Sequence, residues 1–229
     1  MRRRDLPRGL TLALLLLAGC ASDTSELRRQ AAALRSEGRV REATQAYLAL
    51  AAALPGDDRD SRLARTDAFR ELGGMHASFG DPAEAERAYL SALRTAEAEP
   101  RLPPETIVTL RAQLAALSYR AGRNEEAAER YEEVLLLERR SLGEAHPDVL
   151  ATVGILSGLR MKCGRPDMAE PLLRRQLALT ERSHGPGRRE TAACLDRMAE
   201  ARDRLGRNEE AAALRRKAGD IRKKLCDEC

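Results

Sequence analysis

The 229-residue sequence has few aromatic residues and no tryptophan. Aromatic side chains make up 3% of the chain, and the commonest residues are Ala, Leu, Arg and Glu. β-Sandwiches and β-barrels depend on aromatic and β-branched side chains, whereas the four commonest residues here are helix formers or well tolerated in helices. The sequence therefore predicts an all-α protein.

The motifs that mark many enzymes and metal sites are also missing. The sequence contains no glycine-rich phosphate loop, no paired-histidine zinc motif and no nucleophile elbow. We interpret its three histidines, His76, His146 and His184, as structural or solvated residues. We therefore expect no catalytic site, no metal, no cofactor and no small-molecule substrate.

The net charge of +4 is concentrated at the beginning of the chain. Residues 1–19 contain four arginines and one aspartate, so the remainder carries a net charge of only +1. A nucleic-acid-binding protein needs a basic surface that matches the phosphate backbone. The nearly neutral remainder predicts no nucleic-acid partner.

The first twenty residues have the three parts of an export signal. Residues 1–9 are basic, residues 10–17 are almost wholly apolar, and Ala18 and Gly19 precede Cys20. The apolar run is far shorter than the roughly 20 residues of a transmembrane helix. The segment is thus predicted to be a signal peptide over residues 1–19 that is cleaved.

Residues 17–20, LAGC, resemble the bacterial lipobox, whose cysteine is acylated and becomes the first residue after cleavage. The resemblance implies a lipid on Cys20 and a short tether over residues 20–24. Ala21 follows the cysteine in place of the aspartate that retains lipoproteins at the inner membrane. The resemblance therefore implies the outer membrane, facing the periplasm; an ordinary secretory signal is the alternative.

From there on the sequence repeats every 42 residues. The repeat is marked by a glycine in each of five units: Gly38, Gly80, Gly122, Gly164 and Gly206. An alanine follows each glycine by five residues: Ala43, Ala85, Ala127, Ala169 and Ala211. A small residue precedes each glycine by seven: Ala31, Gly73, Ala115, Ser157 and Ala199. Each glycine lies between two helical patterns, as expected for a positive-φ residue just past a helix end.

Proline and glycine clusters separate the units, and helix patterns lie between the clusters. The predicted helix pairs are 25–37 with 40–54, 62–79 with 82–98, 105–121 with 124–141, 148–163 with 166–183, and 189–205 with 208–225. Asp81, Asn124 and Asn208 are predicted to cap second helices, because acidic residues follow them in the first turn.

Three segments resemble the tetratricopeptide repeat (TPR) in its 42-residue, kinesin-light-chain-like form: LGEAHPDVL at 142–150, GRPDMAEPLLRRQLAL at 164–179 and GRNEEAA at 122–128. The resemblance implies a right-handed α-solenoid of about five helical hairpins over residues 25–229. The implied units are 25–61, 62–104, 105–147, 148–188 and 189–229.

In this family the first helices line a concave face that binds a protein or peptide partner. The resemblance therefore implies a partner-binding set composed of Arg28, Arg35, Arg70, Ala112, Tyr119, Arg120, Gly154, Gly158, Met161, Lys162, Asp196, Glu200 and Asp203. These residues would form a shallow floor between a basic and an acidic end. The asparagines with which related repeats hold a peptide backbone are missing from this set. The alternative is that the small residues only set the curvature of the array.

Four cysteines besides Cys20 lie in the mature chain, and disulfides persist outside the cytoplasm. We predict a structural bridge from Cys194 to Cys226 or Cys229. The CDEC ending is not interpreted as a redox motif, because the dipole at a helix C-terminus disfavours a thiolate.

Together these features predict a non-enzymatic scaffold or adaptor for protein partners, anchored by lipid in the bacterial cell envelope. The first hypothesis is a role in envelope assembly or secretion through the concave groove. The alternative is an accessory regulator of an envelope enzyme, such as one acting on peptidoglycan.

Overall fold

A computed structural model describes residues 24–54, 56 and 58–227. All regular secondary structure in this part of the chain is helical. Its helices are α1 Thr24–Ser36, α2 Val40–Ala53, α3 Arg59–Ser78, α4 Pro82–Glu97, α5 Pro104–Arg120, α6 Asn124–Leu142, α7 Pro147–Lys162, α8 Pro166–His184, α9 Arg189–Arg204 and α10 Asn208–Asp227. The predicted all-α fold class is confirmed, and every predicted helix end lies within three residues of the observed one.

Each hairpin turns at one of the five repeated glycines, whose φ angles lie between 70° and 82°. A backbone hydrogen bond closes the first helix beside each of them. At Gly122, for example, the N–H of Arg123 donates to the carbonyl oxygen of Ser118 at 2.9 Å. Only glycine adopts this left-handed conformation without steric cost, so the predicted role of these residues is confirmed.

The starts of the second helices were predicted correctly, but their caps were predicted less well. The Asp81 side chain accepts a hydrogen bond from the N–H of Glu84 at 3.1 Å and caps α4 as expected. Asn124 instead is the first residue of α6, and Arg123 before it makes no side-chain cap. The predicted Asn124 cap is wrong because that residue is already helical. Asn208 likewise lies inside α10.

The repeated small residues let paired helices approach closely. All five repeated alanines, from Ala43 to Ala211, are fully buried. Tyr89 is buried against Gly73, where an added Cβ would lie only 2.6 Å from the tyrosine ring. This contact explains why the repeat has a small residue at that position.

The described chain divides into two compact units, the first ending at Leu102 and the second beginning at Pro103. The first unit holds two hairpins, in which α2 packs on α3. The second unit holds three hairpins, in which α6 packs on α7 and α8 packs on α9. The consecutive order of these contacts follows from the repeat, because within each unit a hairpin buries its apolar face against the next one.

Buried polar groups mark the hairpin junctions of the second unit. Arg160 of α7 is 4% exposed and donates to Glu125 and Glu132 of α6, both at 2.7 Å. The Thr180 hydroxyl of α8 lies 3.7 Å from the Cys194 thiol of α9. These junctions therefore combine apolar packing with specific polar contacts.

The predicted signal peptide and Cys20 lie outside the described residues, as does Cys229. Among the helices that the structure describes, none is both long and apolar enough to cross a bilayer.

Candidate protein-binding face

Side chains near the C-terminal ends of the first helices of the second unit link α5 to α7 and α7 to α9. The Lys162 ammonium of α7 donates to the Tyr119 hydroxyl of α5 at 2.5 Å and lies 4.5 Å from the ring centroid. Arg204 of α9 donates to the carbonyl oxygen of Met161 at 2.7 Å. We call this surface the first-helix face, formed by Ala112, Ala116, Tyr119, Gly154, Ile155, Gly158, Lys162, Arg197 and Glu200.

The centre of the first-helix face is open and weakly apolar. An added Cβ on Gly158 would meet no atom within 4 Å. The side chains of Tyr119 and Ile155 are 42% and 43% exposed. Ile155 lies two helical turns before Lys162, on the same side of α7. Tyr119 and Gly158, two members of the predicted floor, are thus accessible on the surface of the second unit.

Two predicted members of the floor are held partly or wholly in the core. The Met161 side chain is buried with Leu173 and Met198. Ala112 is half-buried and packs against the core between α6 and α7. The Met161 side chain therefore does not line the surface, which differs from the sequence expectation because its helical position faces α8 and α9.

The acidic residues predicted at one end of the face are neutralised by arginines. Asp203 pairs with Arg215, and Glu200 pairs with Arg204 at 2.7 Å. A third acid follows the same rule, since Asp196 lies 2.5 Å from Arg222 of α10. The expected acidic end is therefore a row of internal ion pairs rather than a free acidic surface.

The basic residues predicted in the first unit are largely neutralised too. Arg35 and Arg70 both pair with Glu71, which the sequence interpretation did not include. Arg28 is exposed on α1. Within the first unit, two of the three predicted arginines are thus neutralised by Glu71, and Arg28 is exposed.

Among the cations on or next to the first-helix face, three have no carboxylate within 4.0 Å among the described residues. They are Arg120, Lys162 and Arg197, of which Arg197 is half-buried and the other two are exposed. The Arg197 guanidinium approaches the Cys194 sulfur at 3.5 Å. The unneutralised charge on the first-helix face is consequently positive.

Sequence reasoning missed Arg197 and Gln176, which meet beside Gly154. Gln176 of α8 is 7% exposed and donates through Nε2 to the carbonyl oxygen of Leu150 at 3.2 Å. Its Oε1 atom is buried and has no hydrogen-bond partner among the described atoms. A sequence signal existed, because the same repeat position elsewhere holds the buried apolar residues Leu50, Ala92, Val134 and Ala218.

The predicted bridge between Cys194 and Cys226 is not formed, since both thiols are free. The Cys194 thiol is directed at Thr180 of α8, whereas Cys226 is exposed on α10. A pairing of Cys194 with Cys229 falls outside the described residues.

No cluster of three or more potential metal ligands occurs in the described ranges. His146 caps α7 by accepting a hydrogen bond from the N–H of Asp148 at 3.2 Å. His184 is exposed, and His76 is half-buried beside a cavity of about 420 Å³ between α2, α3 and α4. All three positions agree with structural or solvated roles.

Two family models of the tetratricopeptide repeat match the chain, over residues 108–148 and 151–224, and together they cover half of its length. The chain is a tetratricopeptide repeat protein. This TPR protein has no match among curated proteins. The family assignment agrees with the hairpins, their glycine turns and their small-residue contacts.

Solved structures show the same fold. A putative kinesin light chain with nearly identical TPR-like repeats from Podosopora anserina is 20% identical, with a TM-score of 0.66 over 90% of this chain and 98% of that one. BtubC (BKLC) from P. vanneervenii is 18% identical, with a TM-score of 0.52 over 87% and 92%. MamA from Desulfovibrio magneticus RS-1 is 12% identical, with a TM-score of 0.58 over 90% and 98%. These likenesses show the α-solenoid fold. As a TPR-repeat protein, the chain belongs to a group that generally serves protein–protein interaction.

Proposed function

We propose that this TPR protein is a non-enzymatic scaffold that binds a partner polypeptide on the first-helix face of its second unit. The observation that carries the proposal is the exposed patch of Tyr119, Ile155 and Lys162 beside the open surface at Gly158. Tyrosine is enriched among the residues that contribute most of the binding energy at protein interfaces.

The glycines of α7 support the proposal. A glycine inside a helix costs about 1 kcal/mol relative to alanine, and Gly158 has no neighbour that would exclude a methyl group. Packing within the hairpin therefore does not require glycine at this position. Glycine at this position would, however, allow the main chain of a partner to approach α7 closely.

We further propose that the scaffold is anchored by lipid on Cys20 in the bacterial cell envelope, at the outer membrane facing the periplasm, and serves envelope assembly or secretion. Support comes from the basic, apolar and small-residue segments that precede Cys20, and from Ala21 after it. A lipid anchor would hold the first-helix face near the membrane without a spanning helix.

The binding face is tested by photocrosslinking in cells. Benzoylphenylalanine replaces Ile155 in one variant and Leu136 in a second; Leu136 is 50% exposed on α6, a second helix of the same unit. We expect a discrete crosslinked polypeptide from position 155 and none from position 136. Equal capture at both positions, or capture only at 136, would contradict binding on the first-helix face.

The anchor is tested by metabolic labelling with an alkyne fatty acid. We expect the wild-type protein to incorporate the label and Cys20→Ala to lose it. Ala21→Asp should keep the label but move the protein to the inner-membrane fraction. Label retained in Cys20→Ala would overturn the anchor while leaving the scaffold role untouched.

A further inference from the structure

A groove lies in the first unit between the second helices α2 and α4, and α3 forms its floor. Its volume is about 420 Å³, and apolar groups make up most of its lining. Leu48 of α2, which is 50% exposed, and Ala88 of α4 contribute to its sides. Phe69 and Leu72 of α3 contribute to its floor. We call this cavity the α2–α4 groove.

The repeat shows that the fold does not require this open groove. His76, which lines the groove, corresponds to Arg202 of α9, three repeats later. Arg202 spans the corresponding space in the second unit, because it approaches Glu170 of α8 at 3.5 Å and Glu210 of α10 at 2.7 Å. The shorter His76 side chain makes no such bridge. The α2–α4 groove is therefore open where its counterpart is crossed by an ion-paired arginine.

The lining of the groove favours an uncharged, aromatic occupant. Its charged residues Arg87 and Glu84 pair with each other on α4. A charged side chain that entered the groove would therefore lose water without gaining a free opposite charge. The Arg87 guanidinium is mostly exposed, and a cation is attracted to the face of an aromatic ring. A phenyl ring also fits the space, since pockets of roughly 300–1,000 Å³ hold drug-sized ligands.

The chain itself presents such a ring beside the groove. Phe79 is 62% exposed, more than any other large apolar side chain in the described ranges. Its N–H donates to the carbonyl oxygen of Met75 at 3.0 Å, so Phe79 continues the helical register of α3. Leu72, His76 and Phe79 follow one another by four and three residues, and this spacing places them on one side of the helix. The exposed ring thus lies at the end of the groove floor.

We propose that the α2–α4 groove binds Phe79 of a second copy of this protein. The ring and the groove lie side by side, so a two-fold axis between them lets each copy insert its Phe79 into the groove of the other. Every contact is then made twice. Insertion also removes the exposed rings and both Leu48 side chains from water, which favours association. The inference goes beyond the proposed function, because the first-helix face belongs to the second unit.

The test is photocrosslinking of the full chain in cells, with benzoylphenylalanine in place of Phe79, a change that keeps the aromatic ring. Two forms of the chain with different epitope tags are expressed together. An adduct that has twice the monomer mass and carries both tags reports self-association. We expect this adduct, and we expect mass spectrometry to map the crosslink to residues 44–48 or 69–76 of the second copy.

A matched pair of variants tests the wall of the groove. Leu48→Asp places a charge where the ring of the second copy would pack, and should lower the adduct yield about ten-fold, equivalent to about 1.4 kcal/mol. Leu136→Asp makes the same change at an equally exposed residue of α6 and should leave the yield unchanged. Thermal unfolding followed by circular dichroism separates a binding defect from loss of folding.

A double variant tests the open space itself. Thr44→Glu combined with His76→Arg copies the pairing of Glu170 with Arg202, since Thr44 stands at the repeat position of Glu170. Glu84 already supplies the second acid of that arrangement. The new arginine should span the groove from within, so we expect a folded protein that no longer forms the adduct.

Each other outcome counts against the dimer. Absence of the double-mass adduct, or a crosslink that maps outside the groove, would overturn it. Equal adduct yields in the wild type, in Leu48→Asp and in the double variant would do the same. An adduct of position 79 with a different polypeptide alone would assign the groove to that polypeptide instead of a second copy. The proposed function is tested separately, by the crosslink at position 155.

Discussion

The ring of Tyr89 packs directly against the backbone of Gly73. A Cβ on Gly73 would lie 2.6 Å from Cδ1 and 2.7 Å from Cε1 of that ring, whereas a Cβ on the adjacent Gly74 would lie 3.7 Å from the tyrosine oxygen. Two neighbouring glycines of α3 therefore have opposite roles, because one closes a helix contact and the other only contributes to the helix surface.

Gly73→Ala is expected to lower the free energy of unfolding by about 1–3 kcal/mol, because the methyl group overpacks the contact with Tyr89. Gly74→Ala should be neutral or stabilising by up to about 1 kcal/mol, since alanine favours the helix. Urea denaturation of both variants measures the difference. Similar changes in the free energy of unfolding of the two variants would contradict the prediction, because they would show that the Tyr89 ring moves away from Gly73 at little energetic cost.

Glu138 makes stability depend on pH. Its side chain is buried between α6 and α7, with Oε2 lacking any hydrogen-bond partner among the described atoms. Burial raises the pKa of this carboxyl group, Asp148 adds to the increase, and the Thr152 hydroxyl and His146 oppose it. Because the folded-state pKa exceeds the unfolded one, the stabilising contribution is complete at acidic pH and is lost as pH rises through the raised pKa.

Glu138→Gln is expected to remove that loss and to raise the free energy of unfolding near neutral pH by on the order of 1 kcal/mol. The matched control is Glu129→Gln, at an exposed residue of the same helix. Urea denaturation from pH 4 to pH 8 provides the comparison. The prediction fails if Glu138→Gln retains the wild-type pH dependence.

Arg160 links α7 to α6 through two carboxylates, so Arg160→Met is expected to destabilise the second unit by about 1–3 kcal/mol. Glu125 and Glu132 are about half exposed, and salt screens such pairs. The loss should therefore shrink in 1 M NaCl. Arg140→Met, at an exposed residue of α6, serves as control and should change stability by less than about 0.5 kcal/mol.

The three described thiols of the second unit are expected to react at different rates with a thiol reagent. Exposed Cys226 should react first, and Cys194, which is 2% exposed, only after unfolding. Cys163 should be intermediate, because burial and a hydrogen bond to Glu125 raise the pKa of its thiol and the thiolate is the reactive form. Mass spectrometry of alkylated peptides gives the order, and a linked Cys194–Cys226 peptide under non-reducing conditions would contradict it.

The hairpins were predictable because their signals are local and repeated. The turn at Gly122 and at its counterparts needs a residue with positive φ, and the close helix contact at Ala127 and its counterparts needs a small side chain. The 42-residue repeat therefore predicts both the turns and the packing. The helix cap at Asn124 was predicted wrongly because a polar residue near a helix start fits either the cap or the first turn.

The charge of the candidate face was not predictable in the same way. Asp196 and Asp203 have the spacing of a surface stripe, but their partners lie on α10, and only the packing of α9 against α10 brings them together. Gln176 was missed because it lies on a second helix, outside the positions used to define the face. Its polar side chain in an otherwise apolar repeat position was the available signal.

The polar contacts at the junctions of the second unit also affect domain swapping, in which two copies of the chain exchange hairpins. Glu138 and Thr152 at one junction occupy the repeat positions that Thr180 and Cys194 occupy at the next, 42 residues later. If two chains exchanged hairpins with a slip of one repeat, the Glu138 carboxyl group would face the Cys194 thiol and lose the Thr152 hydroxyl. These polar contacts therefore favour in-register pairing of the hairpins over a pairing shifted by one repeat, although the hairpins have nearly the same shape.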